Sequence, residues 1–262
     1  MEAIKITTVQ TYLHWENVEE NLKHFSKMLE GIEETDIIVL PEMFTTGFTM
    51  KPELLAEEHG GKALQWMQHT AKQKNAVIVG SVSVKEGDKF YNRLYWVNPD
   101  TSYQFYDKRH LFRMVNEHQH YTAGAKKLII DFKGWKICPL VCYDLRFPVW
   151  SRNTKQELYD VLLYVANWPE IRSYPWKQLL IARAIENQSY VVGVNRIGKD
   201  GNLFDHSGDS AVINPRGEVI SNTKSHQDKA ETVVLDYNYL ADFRKVFPAI
   251  LDADDFEIRQ FS

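Results

Sequence analysis

Apolar and polar positions divide the chain into short covered strands and longer two-faced helices. Residues 3–9 alternate and are rich in β-branched side chains, as a half-covered strand requires. Over 17–29, Val18, Leu22, Phe25 and Leu29 recur on one face, which predicts an amphipathic helix. "DIIVL" (36–40) is a short unbroken apolar run, the pattern of a strand covered on both sides. Residues 61–75 read as a helix with Leu64, Met67 and Ala71 inward. Strands follow at 76–84, 90–98 and 103–107, with "EGDK" (86–89) and "NPDTS" (98–102) as the turns. Further strands are expected at 128–132 and 135–141, around a Lys-Gly turn, and at 161–165 and 190–197. "NPRGE" (214–218) predicts a hairpin between 211–213 and 219–221, and 231–236 reads as the last strand. The segment 174–189 is helical, apolar at Trp176, Leu179, Leu180 and Ala184 but also at Ile181 and Ile185. Apolar residues on two faces predict a helix covered on both sides, the second side by another subunit.

Alternation of covered strands with amphipathic helices places the chain in the α/β class. No linker, low-complexity tract or short repeat interrupts it, so residues 1–262 are expected to form one domain ending in a C-terminal helix and extension of about 25 residues. A loose doubling, strand–helix–strand then hairpin, runs through each half. Hairpins mixed among parallel units predict two packed sheets with helices outside.

Composition narrows the class. The chain has 262 residues, 44% of them hydrophobic, enough for a sizeable core. Net charge is -4 and no block of Lys or Arg marks a nucleic-acid or membrane surface. An acid at position 2 and polar residues by position 5 argue against a signal peptide. The two cysteines, Cys138 and Cys142, lie four apart in one strand, badly placed to bond each other. A reduced, cytoplasmic protein is expected.

Three apolar strands end in a reactive side chain: "DIIVLPE" in Glu42, "SYQFYDK" in Lys108 and "KICPLVC" in Cys142. Taken singly each has a plain structural reading: Cys142 and Cys138 as small core hydrophobes, Glu42 as a helix cap, Lys108 as a surface charge. Together they make a chemical set, since strand ends are where α/β sheets place ligands. A free thiol has a pKa of about 8.5 and needs a base. A desolvated carboxylate can take its proton as the sulfur attacks a carbonyl, then return it to the leaving amine. The Lys108 ammonium and the backbone N–H of Tyr143 would bind the oxyanion. Water activated by the same carboxylate would hydrolyse the thioester.

At these residues a resemblance becomes plain. "LPEMFTTGF" (40–48), "YDKRHLF" (106–112) and "VCYDLRFP" (141–148) resemble the three signature segments of the nitrilase superfamily of carbon–nitrogen hydrolases. "ARAIENQSYVVGVNRIG" (182–198) and "GDSAVINPRGEVI" (208–220) are similar to its later segments. The resemblance implies a four-layer α-β-β-α sandwich of the nitrilase type that dimerises, and a catalytic triad falling on Glu42, Lys108 and Cys142. It implies no cofactor and no metal. The family's second glutamate corresponds to Glu117, which would orient the lysine and the substrate amide. "NWPEIRSYPWKQLLIARAIENQ" (167–188) and "FRKVFPAILDADDF" (243–256) resemble the bacterial omega-amidase branch, whose members hydrolyse the terminal amide of 2-oxo acid amides such as 2-oxoglutaramate. Such a substrate carries a carboxylate at its far end and calls for a guanidinium. Arg172 is expected in that role, with Phe44, Phe48 and Trp168 walling the pocket; Arg146 is expected to form a structural ion pair beside the cysteine.

Other readings stay open at this level. Glu117, His118 and His120 form an E-H-x-H cluster near His110, a conceivable metal site, although no H-E-x-x-H or cysteine pair accompanies it. A binding protein that kept the fold and lost the chemistry is a second reading. A sibling enzyme acting on carbamoyl amines, aliphatic amides or nitriles is a third, because pocket shape decides among them.

Overall fold

The computed structural model describes residues 1–258. In chain order its elements are β1 (Ile4–Gln10), α1 (Val18–Glu30), β2 (Ile37–Val39), α2 (Pro52–Leu55), β3 (Glu57–Glu58), α3 (Lys62–Lys74), β4 (Val77–Glu86), β5 (Lys89–Val97), β6 (Tyr103–Asp107), α4 (Glu117–His120), β7 (Ile130–Phe132), β8 (Trp135–Val141), α5 (Pro148–Ser151), β9 (Val161–Ala166), α6 (Ser173–Asn187), β10 (Tyr190–Asn195), β11 (Ile197–Lys199), β12 (Asp205–Ser207), β13 (Ala211–Ile213), β14 (Lys229–Leu235) and α7 (Tyr237–Val246). Among the described residues no helix is long and apolar enough to cross a membrane.

Two sheets carry the fold. The first runs β14-β1-β2-β4-β5-β6, with β3 also paired to β4; the second runs β13-β10-β9-β8-β7. Each has a parallel centre, β1, β2 and β4 in one and β8, β9 and β10 in the other, with antiparallel strands outside it. The parallel centres explain the unbroken apolar runs, because such strands are buried on both faces. One inner core joins the facing sheets, with Ile6, Val39 and Val79 from the first and Ile137, Leu163 and Val192 from the second.

On the outer face of the first sheet, Leu22, Phe25 and Leu29 of α1 and Leu64 and Met67 of α3 pack over Ile38, Ile78 and Val82. Asn17 caps α1 by accepting from the Glu20 amide, as its short polar side chain favours. On the outer face of the second sheet, Trp176 and Leu180 of α6 press on β10 so closely that a Cβ at Gly193 would sit 2.6 Å from Leu180. The result is the four-layer α-β-β-α sandwich.

Three expectations need correction or limit. Residues 219–221 do not form a strand; Val219 makes only an isolated bridge to Ile213. The second apolar face of α6 is not covered within the chain: Ile185 is 53% exposed and Tyr174 75%. The C-terminal extension follows α7 as a short 3₁₀ turn at Ala249–Asp252, and its last four residues, 259–262, lie outside the described residues.

Candidate active site

Glu42 follows β2, Lys108 follows β6 and Cys142 follows β8, and the two sheets bring these strand ends together. The Lys108 ammonium lies 2.9 Å from Glu42 Oε1 and 2.9 Å and 3.0 Å from the two oxygens of Glu117. All three side chains are fully buried. Cys142 lies near enough to Glu42 for the carboxylate to act on its thiol, and it lines a cavity of about 200 Å³.

Backbone strain marks the site. Cys142 itself has φ +44°, Met43 after Glu42 has +43° and Asn116 before Glu117 has +61°. A left-handed residue with a side chain costs roughly 1–2 kcal/mol. At Cys142 it turns β8 sharply into the 3₁₀ turn Cys142–Arg146, which presents the sulfur to the cavity. The Tyr143 amide lies in the first turn of that short helix, where N–H groups have no carbonyl partner inside the helix.

Glu42 is fixed from three directions. Asn92 Nδ2 donates to Oε1 at 2.8 Å, the Asn167 amide donates to Oε2 at 2.8 Å, and Asn167 Nδ2 donates to the Glu42 carbonyl. Glu117 accepts the Phe112 amide at 2.5 Å besides holding Lys108. An ammonium has three hydrogens. All three meet carboxylate oxygens, one on Glu42 and two on Glu117, so an oxyanion would take over one of the two Glu117 contacts.

Electrostatics follow from this burial. Desolvation, with the charge of Glu42 beside it, pushes the Cys142 thiol well above its ordinary range; Lys108 and the Asn167 amide offset only part of that. The resting sulfur is therefore protonated. Desolvation also raises the Glu117 carboxyl against the pull of Lys108, with Glu42 adding to the rise. Desolvation alone would lower Lys108, but Glu117, Glu42 and Cys142 together raise it, so it stays cationic.

The cavity wall divides the expected binding residues. Phe48 and Trp168 line it, and the Lys108 nitrogen sits 4.8 Å from the Phe48 ring centre. Phe44 does not line it. The left-handed turn at Met43 sends Phe44 to the outer layer, where it packs on Phe25 and Trp66 and over Gly80. Arg172 lines the cavity with its guanidinium 5.4 Å over the Phe112 ring. Arg146 lines it too, 5.0 Å over Trp168, and forms no ion pair among the described residues, so the expected structural pair is corrected. Asp200, an acid on the same wall, uses Oδ1 to accept the Asn202 and Phe204 amides of its own turn. Glu117 turns inward to Lys108, and no cluster of three or more metal-ligating side chains occurs among the described residues.

Sequence reasoning missed Asn92, Asn167 and the β11–β12 hairpin, which brings Asp200, Phe204 and His206 to the cavity. Asn92 did leave a signal: an asparagine inside a covered strand, "FYNRLYWV", is a buried polar group that needs a partner.

A family model described as carbon-nitrogen hydrolase matches residues 5–245. The chain is 50% identical over 260 residues to omega-amidase YafV of Escherichia coli K12, covering 98% of this chain and all of that protein. It is 35% identical over 220 residues to the 2-oxoglutaramate amidase of Bacillus subtilis 168, covering 82% and 85%. Among solved structures, a CN-hydrolase superfamily protein of Xanthomonas campestris with an arsenic adduct in its active site superposes with a TM-score of 0.97 at 41% identity, over 99% of this chain and all of that one.

Proposed function

This chain belongs to the carbon–nitrogen hydrolase family, and from that premise we propose that it is a thiol-dependent omega-amidase acting on the terminal amide of small 2-oxo acid amides. The observation that carries the reading is the buried Glu42–Lys108–Glu117 cluster beside Cys142, at a cavity whose wall holds two guanidiniums that form no ion pair among the described residues.

The reaction follows from the geometry. Glu42 accepts the thiol proton as sulfur bonds to the amide carbon, so no free thiolate need exist beforehand. The carbonyl oxygen becomes an oxyanion beside the Tyr143 amide and the Lys108 ammonium, which turns one hydrogen from Glu117 towards it. The protonated Glu42 then gives its proton to nitrogen, the C–N bond breaks, and ammonia leaves a Cys142 thioester. Water enters, loses a proton to Glu42, and attacks the same carbon. The proton returns to sulfur and the carboxylic acid leaves. Glu117 holds the ammonium on its far side and keeps the lysine charged through both steps.

Arg172 and Arg146 are the proposed partners of the substrate's far carboxylate. A charge-assisted hydrogen bond contributes about 1.5–3 kcal/mol. Arg172→Ala is expected to raise KM for 2-oxoglutaramate about 20-fold, with little change for a neutral aliphatic amide of equal length; equal shifts for both would remove the clamp. The function itself is tested by ammonia release across 2-oxo acid amides, neutral amides, carbamoyl amines and nitriles. Highest kcat/KM is expected on the 2-oxo acid amides, and a preference for any other class would replace the reading.

The exposed apolar face of α6, with Tyr174 and Ile185, fits a homodimer contact, and the reduced thiols fit the cytoplasm. Ile185→Asp is expected to shift the sedimentation coefficient towards the monomer; an unchanged coefficient would place any subunit contact elsewhere.

A further inference from the structure

One fully buried carboxylate stands between the two loops that carry Lys108 and Cys142. Asp144 Oδ1 accepts the His110 amide at 3.0 Å and the His110 Nδ1–H at 2.7 Å. Its Oδ2 accepts the Tyr106 hydroxyl at 2.8 Å and the Val141 amide at 3.1 Å. The Tyr106 oxygen in turn accepts Trp150 Nε1 at 3.0 Å and the Arg109 amide at 3.3 Å, so its single hydrogen goes to Asp144. The His110 ring lies flat on Phe147, centres 3.7 Å apart and planes 6° apart.

The sequence positions of these partners carry the argument. Tyr106 and His110 stand two residues before and two after Lys108. Val141 immediately precedes Cys142, and Asp144 itself stands two residues after it. One carboxylate therefore holds the Tyr106 side chain and the His110 backbone on either side of the lysine, and reaches back across the cysteine to the Val141 amide.

We infer that Asp144, with His110 as its main donor, is a positioning residue that sets the separation of Lys108 from Cys142; this rests on the catalytic roles proposed above. The need is physical. Cys142 sits in a left-handed conformation that a side chain resists, and the Val141 amide is the last one before that kink. Without a fixed acceptor there, the turn relaxes and the sulfur moves. On the other strand, Tyr106 of β6 and His110 beyond it both reach Asp144 and so tie the lysine's segment to the end of β8. A displacement of about 1 Å between reacting groups costs on the order of 100-fold in rate.

A role confined to stability would change how much enzyme folds, not the turnover of each folded site. Asp144→Asn keeps the size but sets an NH2 group against N–H donors. Its kcat, per active site titrated by iodoacetamide on Cys142, is expected to fall about 100-fold. KM for 2-oxoglutaramate should stay within about threefold, because Arg172 stands on a separate element after β9. His110→Phe gives a milder variant that can still stack on Phe147. Its kcat per titrated site is expected to fall about tenfold, the worth of one hydrogen bond, at unchanged KM. If His110→Phe turns over at the wild-type rate per site, or if KM rises as much as kcat falls, the positioning role is overturned. The catalytic reading fails separately: activity retained in Cys142→Ser would remove it, whereas an inert Cys142→Ser beside a fully active His110→Phe would remove only the role of Asp144.

Discussion

Replacing Cys142 with serine is expected to lower ammonia release from 2-oxoglutaramate by about 10⁴-fold or more while leaving the fold intact. The sulfur makes the only bond to substrate in the proposed mechanism. A serine hydroxyl is a far weaker acid than a thiol, and Glu42 is a carboxylate already engaged by Asn92, Asn167 and Lys108. A carboxylate is a poor base towards an alcohol, so the step that works on a thiol fails on a hydroxyl. The exchange barely changes volume, so the thermal midpoint should stay within a few degrees. In the wild type, iodoacetamide should modify Cys142, which lines the cavity, in preference to Cys138, which is buried inside β8. Modification should accelerate as pH rises, because burial holds the Cys142 thiol protonated at neutrality and only the thiolate reacts. Amide turnover in the serine variant close to wild type would end the thiol mechanism.

Lys108→Met is expected to cost both activity and stability. Losing an oxyanion donor lowers rate by about 10²–10³. The variant also leaves Glu42 and Glu117 buried without the cation that each now touches at 2.9 Å. Breaking a buried pair costs about 3–5 kcal/mol, because an uncompensated charge remains. In a chain of this size that lowers the midpoint by roughly 10 °C. Glu117, whose carboxyl is already raised by burial, would lose the lysine that offsets the rise, so its folded pKa would stand above that of the unfolded chain. The folded state then binds more protons than the unfolded state, so the variant's stability is greatest below the unfolded carboxylate pKa and declines as pH rises through the folded value. Adding Glu117→Gln should recover part of the midpoint, since it removes one of the two charges, and should recover none of the activity. A midpoint for Lys108→Met equal to wild type at pH 8, measured by calorimetry, would contradict the burial argument.

The pattern of covered strands was legible because parallel sheets bury both faces and leave unbroken apolar runs such as "DIIVL". Short-range chemistry was legible for the same reason: a reactive side chain at the end of each run stands out against its apolar neighbours. What went wrong involved local turns. Phe44 lies only two residues from Glu42, yet one left-handed residue at Met43 sends it into another layer. The hairpin at 197–207 is short and polar, with no periodicity to announce it, yet it forms part of the cavity wall.

Sequence alone determined the α/β class, the strand ends that carry Glu42, Lys108 and Cys142, and the likeness of their segments to a family of hydrolases. These are properties of local order, written in periodicity and adjacent letters. The tertiary structure decided which side chains share space: Asn92 and Asn167 on Glu42, Arg146 on Trp168 rather than on an acid, and Asp144 between two loops 34 residues apart at His110. Contacts of that kind depend on how two sheets stack and on the sign of a single φ, and neither leaves a mark in the order of residues along the chain.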